Sequence, residues 1–240
     1  MKPQLAVILA AGRGVRLGPL GEEAPKGFLQ VAGQTLIERS IAALRAAGIE
    51  RVVIVTGHLA QHYVALAGRL GPWVTLVHNP EYATSGSLVS LLCAGDPGEP
   101  YLLVESDLLY ERRAPRLLVA SAHPDLLLAS GPTGSGDEVY VGTKDGHLVD
   151  LTKERDSLRG SLAGELVGLT RVSPALHAEI LSQATPLLAS TRHVEYETAL
   201  VAAARSRPVP VLVVEDLVWT EVDDAQHLAR ALSTIAPRLD

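Results

Sequence analysis

Residues 5–18 have the sequence LAVILAAGRGVRLG, and this stretch decides the fold. Its first six residues, Leu5 to Ala10, form a short continuous apolar run, which is typical of a β-strand buried on both faces. A loop rich in glycine and charge follows at once and extends from Ala11 to Lys26. Strands buried on both faces belong to sheets that are covered by helices. The stretch therefore predicts an α/β protein with a polar loop after its first strand.

The rest of the chain continues this alternation of buried strands and amphipathic helices. Thr35 and Glu38 form a capping box, which predicts the start of a helix that ends at Gly48. Further helices are predicted at 58–70, 87–94, 112–121, 174–184, 195–205 and 225–235. The predicted strands are 5–10, 28–31, 51–56, 74–78, 101–105, 126–130, 138–143, 147–152, 162–172 and 209–214, with a hairpin turn at 144–146. We expect a Rossmann-like, mixed or parallel sheet with helices on both faces, in one globular domain over residues 1–240.

Composition narrows the classes of protein that remain. The 240 residues are 47% hydrophobic, and 21 Lys and Arg stand against 27 Asp and Glu. The formal charge of −6 is spread along the chain, which argues against nucleic-acid binding. No stretch approaches the roughly 20 apolar residues of a membrane-spanning helix, so we expect no membrane partner. The single cysteine, Cys93, excludes an internal disulfide, and we expect a cytoplasmic protein.

The glycine-rich loop carries the densest chemistry of the sequence. Glycines after a first strand let backbone N–H groups face a phosphate with no Cβ in the way. The loop also holds three cations, Arg13, Arg16 and Lys26, which suit a triphosphate. The dinucleotide fingerprint fails because Leu17 stands where its third glycine should be, and the Walker A pattern fails around Lys26. The alternative interpretation is a mobile surface loop without function.

The pattern Leu-Ala-Ala-Gly-x-Gly-x-Arg, followed by Pro-Lys, resembles the signature of nucleotidyltransferases that join a nucleoside triphosphate to a phosphorylated small molecule. The resemblance implies a nucleotide-diphospho-sugar transferase (GT-A-like) fold, with a nucleotide-binding half (1–110) and an acceptor-binding half (111–240). It also implies a nucleobase loop around Ser85, for which ordinary helix capping is the alternative. The nucleotide-binding residues implied are Leu9, Ala10, Ala11, Gly12, Arg13, Gly14, Arg16, Lys26, Ser85, Gly86, Ser87 and Asp107.

Two carboxylates are candidates for binding Mg²⁺, the cofactor that the resemblance implies. Asp107 follows a buried strand in Glu105-Ser-Asp107, where an open α/β sheet places its ligand crevice. The first acid, Glu105, occupies a position often held by aspartate in the family, and its role stays open. Asp223 resembles the late aspartate that completes the family's metal site, but it could instead cap the last helix.

The acceptor side is predicted from later segments of the chain. Lys153 resembles the family's second lysine, which faces the phosphoryl group of the acceptor. The other implied acceptor-binding residues are all acids, namely Asp137, Glu138, Glu165, Glu195 and Glu197. So many acids suit an acceptor that also carries a primary ammonium. A quaternary ammonium prefers an aromatic cage, for which two Trp, six Tyr and one Phe provide little material. Alternatively, Glu195 and Glu197 complement a helix N-terminus and Asp137 closes a turn.

The late segments are most similar to family members that couple 2-aminoethylphosphonate to CTP. The resemblance therefore implies transfer of CMP from CTP to a small phosphonate, with Arg16, Lys26 and Lys153 as catalytic residues. Another acceptor (phosphocholine, an inositol phosphate or a sugar 1-phosphate) remains open. So do a GT-A-type glycosyltransferase and a non-catalytic nucleotide-binding module. We expect CTP and the acceptor as partners of a monomer or homodimer.

Overall fold

The computed structural model describes residues 1–239. In this part of the chain the strands are β1 (Leu5–Ala10), β2 (Gln30–Val31), β3 (Gln34–Thr35), β4 (Arg51–Thr56), β5 (Val74–His78), β6 (Tyr101–Glu105), β7 (Leu108–Tyr110), β8 (Leu126–Ser130), β9 (Tyr140–Lys144), β10 (His147–Thr152), β11 (Ser161–Val172), β12 (Val211–Val214) and β13 (Trp219–Glu221). The α-helices are α1 (Pro19–Glu23), α2 (Leu36–Ala46), α3 (Gln61–Leu70), α4 (Ser87–Cys93), α5 (Arg113–Ala120), α6 (Pro174–Leu188), α7 (Tyr196–Ala203) and α8 (Ala225–Arg230).

A mixed sheet forms the centre of the molecule. Strands β6, β1, β4 and β5 lie side by side and are parallel, as their buried apolar sequences predict. The long strand β11 continues the sheet by pairing antiparallel with β6. It also pairs with β9 and with β8, whose other neighbour is β12. The predicted fold class, a mixed sheet with helices in one domain, is confirmed.

Apolar side chains cover both faces of this sheet. Along β1, Ala6 and Ile8 belong to one buried cluster, together with residues of α2, α3 and α5. Val7 and Leu9 belong to a second cluster, together with residues of α4, α6 and α7. Successive strand residues point to opposite faces, so burial of every residue of β1 requires helices on both sides. The predicted helices on both faces are confirmed.

Local sequence signals account for several element boundaries. Helix α2 begins after Thr35, whose side chain accepts a hydrogen bond from the amide of Glu38, while the Glu38 carboxylate bonds back to Thr35. The predicted hairpin turn lies between β9 and β10, where Asp145 and Gly146 have φ values of +52° and +75°. Positive φ at both central residues matches the right-handed twist of the flanking strands.

The sequence prediction missed a small ribbon beside the main sheet. Strands β7 and β13 pair antiparallel, with Trp219 opposite Tyr110 and Glu221 opposite Leu108. Each strand has three residues, and its partner is more than a hundred positions away, so no local pattern marks the pairing. The loop from Ala11 to Lys26 also contains helical turns that were not predicted, including α1. In residues 1–239, no helix is both long and apolar enough to cross a membrane.

Candidate active site

A cleft of about 540 Å³ opens at the carboxyl ends of β1 and β6. Side chains that are far apart in sequence meet there because parallel strands end at the same edge of a sheet. Every residue predicted above to be catalytic, nucleotide-binding, acceptor-binding or metal-binding lines this cleft. The structure therefore brings the predicted residues together, while the role of each one stays a prediction.

The glycine-rich loop forms one wall of the cleft with its backbone. Gly14 has a φ of +62°, a left-handed conformation that favours glycine. Within the described residues, the amides of Gly12, Arg13 and Gly14 donate to no protein acceptor. The side chain of Arg13 is exposed and lines the same wall. Free amides beside a cation are suited to binding phosphate oxygens.

Lys26 lies between the two predicted metal ligands. Its Nζ donates to Asp107 Oδ2 at 2.8 Å, and it also donates to Asp223 Oδ1. Burial alone would lower the pKa of Lys26, but the charges of both aspartates outweigh that effect and raise it. Burial would raise the pKa of Asp223, but Lys26 and Arg16 hold it well below its usual value. The ammonium of Lys26 thus fills the position of a cation between the two carboxylates.

Arg16 and Lys153 share a second carboxylate. Arg16 Nη1 donates to Asp137 Oδ2 at 2.5 Å, and its Nη2 donates to Asp223 Oδ2 at 2.6 Å. Lys153 Nζ donates to the other oxygen of Asp137, Oδ1, at 2.5 Å. The alternative that Asp137 closes a turn does not describe its carboxylate, which forms ion pairs with Arg16 and Lys153 instead. Its carboxylate joins two cations that a phosphate group could also bind.

A cluster of acids could hold a divalent cation in this cleft. Carboxylate oxygens of Glu105, Asp107 and Glu221 lie within 4.8 Å of one another. A second group of the same size contains Asp137, Glu221 and Asp223. Burial, reinforced by the neighbouring carboxylates, raises the pKa of both Glu105 and Glu221. Hard oxygen donors with excess negative charge are the donor set that Mg²⁺ prefers, so the residues present fit the ion.

Two consecutive aspartates at the start of α8 have different tasks. Asp224 is the N-cap of the helix, and its side chain accepts a hydrogen bond from the amide of His227 at 2.8 Å. The alternative prediction that Asp223 caps this helix is wrong, because its carboxylate faces Lys26 and Arg16. The His227 ring lies between the amide of Asp223 and the carbonyl of Ser135, 3.4 Å and 3.2 Å away. His227 thus ties Asp223 to the loop that carries Asp137.

The predicted nucleobase loop is held by its own polar side chains. Asn79 is fully buried, and its Nδ2 donates to Ser85 Oγ at 3.3 Å and to Ser90 Oγ at 3.0 Å. The N-cap of α4 is Gly86, so the alternative that a serine caps this helix is wrong. The side chain of Ser87 instead donates to Glu195 Oε2 at 2.5 Å.

The acids on the predicted acceptor side differ in whether their carboxylate oxygens accept hydrogen bonds from the protein. Glu165 Oε2 accepts from the amide of Thr133 at 2.9 Å, and Glu138 Oε1 accepts from the amide of Gly136 at 3.0 Å. Glu195 accepts from the first amide of α4, so it complements a helix other than the one it precedes. Glu197 differs from these because its buried Oε2 has no hydrogen-bond partner. Burial raises the pKa of this carboxyl, and the charge of Glu195 adds to the effect.

Several residues of the cleft were not predicted from sequence, and three of them, Glu221, Tyr196 and His227, bear directly on the acid groups. Glu221 belongs to both acid groups, and its signal was its spacing from Asp223, which repeats that of Glu105 and Asp107. The hydroxyl of Tyr196 donates to Glu105 Oε1 at 2.6 Å. Neither Tyr196 nor His227 has a local signal, because each acts through a contact with a distant segment.

The fold and the cleft together define a class of protein. A parallel sheet, a glycine loop with free amides after its first strand, and carboxylates after a neighbouring strand are typical of α/β proteins that bind nucleotides. The chain belongs to the family of MobA-like NTP transferase domains, whose family model matches residues 6–236. The family resemblance predicted from the sequence is confirmed.

Known proteins similar to this chain include two enzymes of phosphonate chemistry. CMP-5'-(3-aminopropyl)phosphonate synthase of Streptomyces rubellomurinus is 30% identical over 234 residues, or 92% of this chain. 2-Aminoethylphosphonate cytidylyltransferase of Lancefieldella rimae is 41% identical over 91 residues, or 38% of this chain. The match covers 37% of the length of each of these relatives.

A solved structure of similar fold is the inositol-1-phosphate CTP transferase from T. maritima. It matches with a TM-score of 0.82 at 19% identity and covers 100% of this chain and 97% of its own. At that identity the likeness supports the fold, which the sheet order described above shows independently.

Proposed function

We propose that this protein transfers CMP from CTP to a small aminoalkylphosphonate, 2-aminoethylphosphonate in the first instance, and releases pyrophosphate. The observation that supports the proposal is the combination of groups that line the cleft. Free loop amides with Arg13, Arg16 and Lys26 lie beside an acid cluster that fits Mg²⁺, and Lys153 lines the same cleft. The names of the two phosphonate relatives support the choice of base and acceptor.

The reaction is a displacement at the α-phosphorus of CTP. An oxygen of the acceptor's phosphonate forms a new bond to this phosphorus. The bond to the oxygen that bridges the α- and β-phosphorus breaks, and pyrophosphate leaves with that oxygen and its electron pair. A phosphoryl-type acceptor is largely an anion at neutral pH, since the second pKa of a phosphate monoester is about 6. The attacking oxygen therefore needs no general base, and positioning and charge neutralisation do the work.

The chain's own cations bind and orient the two anionic substrates. Lys26 and Arg16 stabilise the charge that develops on the leaving pyrophosphate, and Lys153 orients the acceptor. Both Arg16 and Lys153 must exchange Asp137 for substrate oxygens, which keep the same ion-pair chemistry. Mg²⁺, held by Asp107 and Asp223 with Glu221, would neutralise charge on the phosphates when it is bound. Lys26 would then exchange these two aspartates for phosphate oxygens. We propose that residues 1–110 bind the nucleotide and residues 111–240 bind the acceptor.

Glu197 supports an acceptor with a primary ammonium. Its buried Oε2 lacks a hydrogen-bond partner, and leaving such an oxygen unpaired costs about 1–3 kcal/mol. Glu195 and Asp107 also line the cleft, and their charges raise the pKa of Glu197 further. An ammonium group would satisfy the free oxygen and offset this charge, whereas a neutral sugar hydroxyl would not offset it.

A pyrophosphate-release assay tests the proposal. Four nucleoside triphosphates are combined with 2-aminoethylphosphonate, 3-aminopropylphosphonate, phosphocholine, inositol 1-phosphate and glucose 1-phosphate in the presence of Mg²⁺. We expect the highest kcat/KM with CTP and an aminoalkylphosphonate. Turnover of a sugar phosphate or inositol phosphate, with none of an aminoalkylphosphonate, would contradict the proposed acceptor. CTP binding without pyrophosphate release over the whole panel would instead identify a binding module, and a nucleotide-sugar donor would release no pyrophosphate.

A further inference from the structure

Hydrogen bonds between side chains and backbone join the predicted nucleobase loop to the first turn of α7, and the residues involved line the cleft. Ser87 Oγ donates to Glu195 Oε2 at 2.5 Å, and the amide of Ser87 donates to the same oxygen at 2.9 Å. In the reverse direction, the amide of Tyr196 donates to Ser87 Oγ at 2.8 Å. We call these three residues, Ser87, Glu195 and Tyr196, the loop–helix link. The Ser87 hydroxyl both donates and accepts, so the link fixes the side chain in one orientation.

The backbone on either side brings the same two segments into close contact. The amide of Gly86 donates to the carbonyl of Arg192 at 2.9 Å. The amide of Leu88 donates to the carbonyl of Val194 at 3.1 Å. A Cβ on Gly86 would collide with the backbone of Val194, so only glycine permits this approach. The nucleobase loop therefore cannot shift without moving the residues that lead into α7.

The link ends on groups that face the acceptor and the acid cluster. Tyr196 is buried, and its hydroxyl donates to Glu105 Oε1 at 2.6 Å. The next residue, Glu197, holds the unpaired buried oxygen described above. Hydrogen bonds thus connect Ser87 through Tyr196 to Glu105, and Glu197 follows Tyr196 directly in the chain. Coupling between sites can travel through a contiguous set of contacts, which here combines hydrogen bonds with the backbone of residues 195–197.

We propose that Ser87, Glu195 and Tyr196 are positioning residues that couple the nucleotide and acceptor sites, so that each substrate strengthens the binding of the other. This proposal rests on the proposed function, because it assumes CTP at one end of the link and the acceptor at the other. It assigns Glu195 to the junction between the sites rather than to direct contact with the acceptor. By linkage, the factor by which the acceptor tightens CTP equals the factor by which CTP tightens the acceptor.

Calorimetric titration of the full chain with Mg²⁺ and a CTP analogue tests the coupling. The analogue carries a methylene between the α- and β-phosphorus, and each titration is done with and without saturating 2-aminoethylphosphonate. For the unaltered protein we expect the acceptor to lower the Kd of the analogue by about fivefold or more. In Ser87→Ala and in Glu195→Gln this ratio should fall to about one, and the double variant should lose no more than either single variant, because both remove the same link.

The chain offers a matched control that joins the same two segments outside the cleft. Arg192 Nε donates to Glu81 Oε2 at 2.9 Å, and neither residue lines the cleft. Arg192→Gln and Glu81→Gln should therefore keep the ratio of the unaltered protein. If the effect of the acceptor on the Kd of the analogue were lost equally in these variants, any contact that holds the loop would have this effect. That result would overturn the specific role of the loop–helix link.

The remaining outcomes separate this inference from the proposed function. A raised acceptor KM in Glu195→Gln with the ratio unchanged would show that Glu195 contacts the acceptor directly, which overturns a positioning role. Absence of analogue binding by the unaltered protein would overturn the proposed function and the coupling together. Hydrogen exchange on the unaltered chain needs no variant: the analogue alone should slow exchange of the Tyr196 amide, and an unchanged rate would contradict the link.

Discussion

The two ends of the cleft are built in different ways. The end proposed to bind phosphate comes from one stretch, in which the strand, the glycine loop and three cations lie between Leu5 and Lys26. The end proposed to bind the metal and the acceptor is assembled from β6, the loops before β9 and after β10, the start of α7, and β13 with the segment after it. The first end offers backbone amides and cations, whereas the second depends on the directions of separate side chains.

This difference determines how each end responds to substitution. Amides of the glycine loop are present whatever the side chains, so substitutions outside its glycines should act mainly through the cations. The acid cluster has no such backbone component, because every ligand atom belongs to a side chain. Substitutions at this end should therefore alter metal and acceptor dependence more than nucleotide affinity.

Loss of Lys26 should have the largest effect on turnover. Lys26→Ala removes the cation that pairs with Asp107 and Asp223, and turnover with CTP should fall about 10²- to 10³-fold. Pyrophosphate release at saturating substrates measures this. Lys144→Ala, at the end of β9, is the control and should match the unaltered protein. Near-normal turnover of Lys26→Ala would mean that the loop amides alone bind the triphosphate.

Glu221→Gln tests whether the acid cluster holds the metal. The amide keeps the size of the side chain but cannot act as an anionic ligand, so activity should fall about a hundredfold. The Mg²⁺ concentration for half-maximal activity should rise, which a titration of activity against Mg²⁺ measures. Glu99→Gln, in an ion pair with Arg51 outside the cleft, supplies the comparison. A fall in kcat with an unchanged Mg²⁺ requirement would remove Glu221 from the metal site.

Glu197→Gln should affect one class of acceptor more than another. With an aminoalkylphosphonate acceptor, loss of this charge should raise KM about tenfold, because a charge-assisted hydrogen bond to the ammonium is lost. With methylphosphonate, which has no ammonium, KM should stay the same. Steady-state kinetics with both acceptors measures the contrast. Equal changes for the two would show that Glu197 shapes the site without recognising the amine.

The smallest expected effect separates the two aspartates that begin α8. Asp224→Ala removes the N-cap and should lower the free energy of unfolding by about 1 kcal/mol. Denaturant unfolding measures this loss, and the Mg²⁺ requirement should not change. Asp223→Ala, one residue earlier, should instead raise the Mg²⁺ requirement. A reversed result would restore Asp223 as the cap.

The sequence could predict the fold because the buried strands are continuous apolar runs. Arg51–Thr56 and Tyr101–Glu105 begin and end where predicted, since burial on both faces leaves no other pattern for a short strand. The cations of the loop could be found because they follow the first strand among glycines, and Asp107 because it follows a buried strand. The family signature added the roles that they are expected to have. Glu221, Tyr196 and His227 were not, because their roles depend on which way a side chain points after distant segments pair. The ribbon of β7 and β13 was not predicted either, because it also depends on the pairing of distant segments.

The long strand β11 limits how the protein can open to admit its substrates. It pairs with β6 on one side over Leu169 to Val172, and with β8 and β9 elsewhere along its length. A hinge between the first and second halves of the chain would have to break the ladder between β6 and β11. Opening that leaves this ladder intact requires movement of loops at the rim, which include the one from Ala11 to Lys26 and the one that carries Asp137. The rate of exchange between solvent and cleft would then depend on how often Arg16 and Asp137 separate.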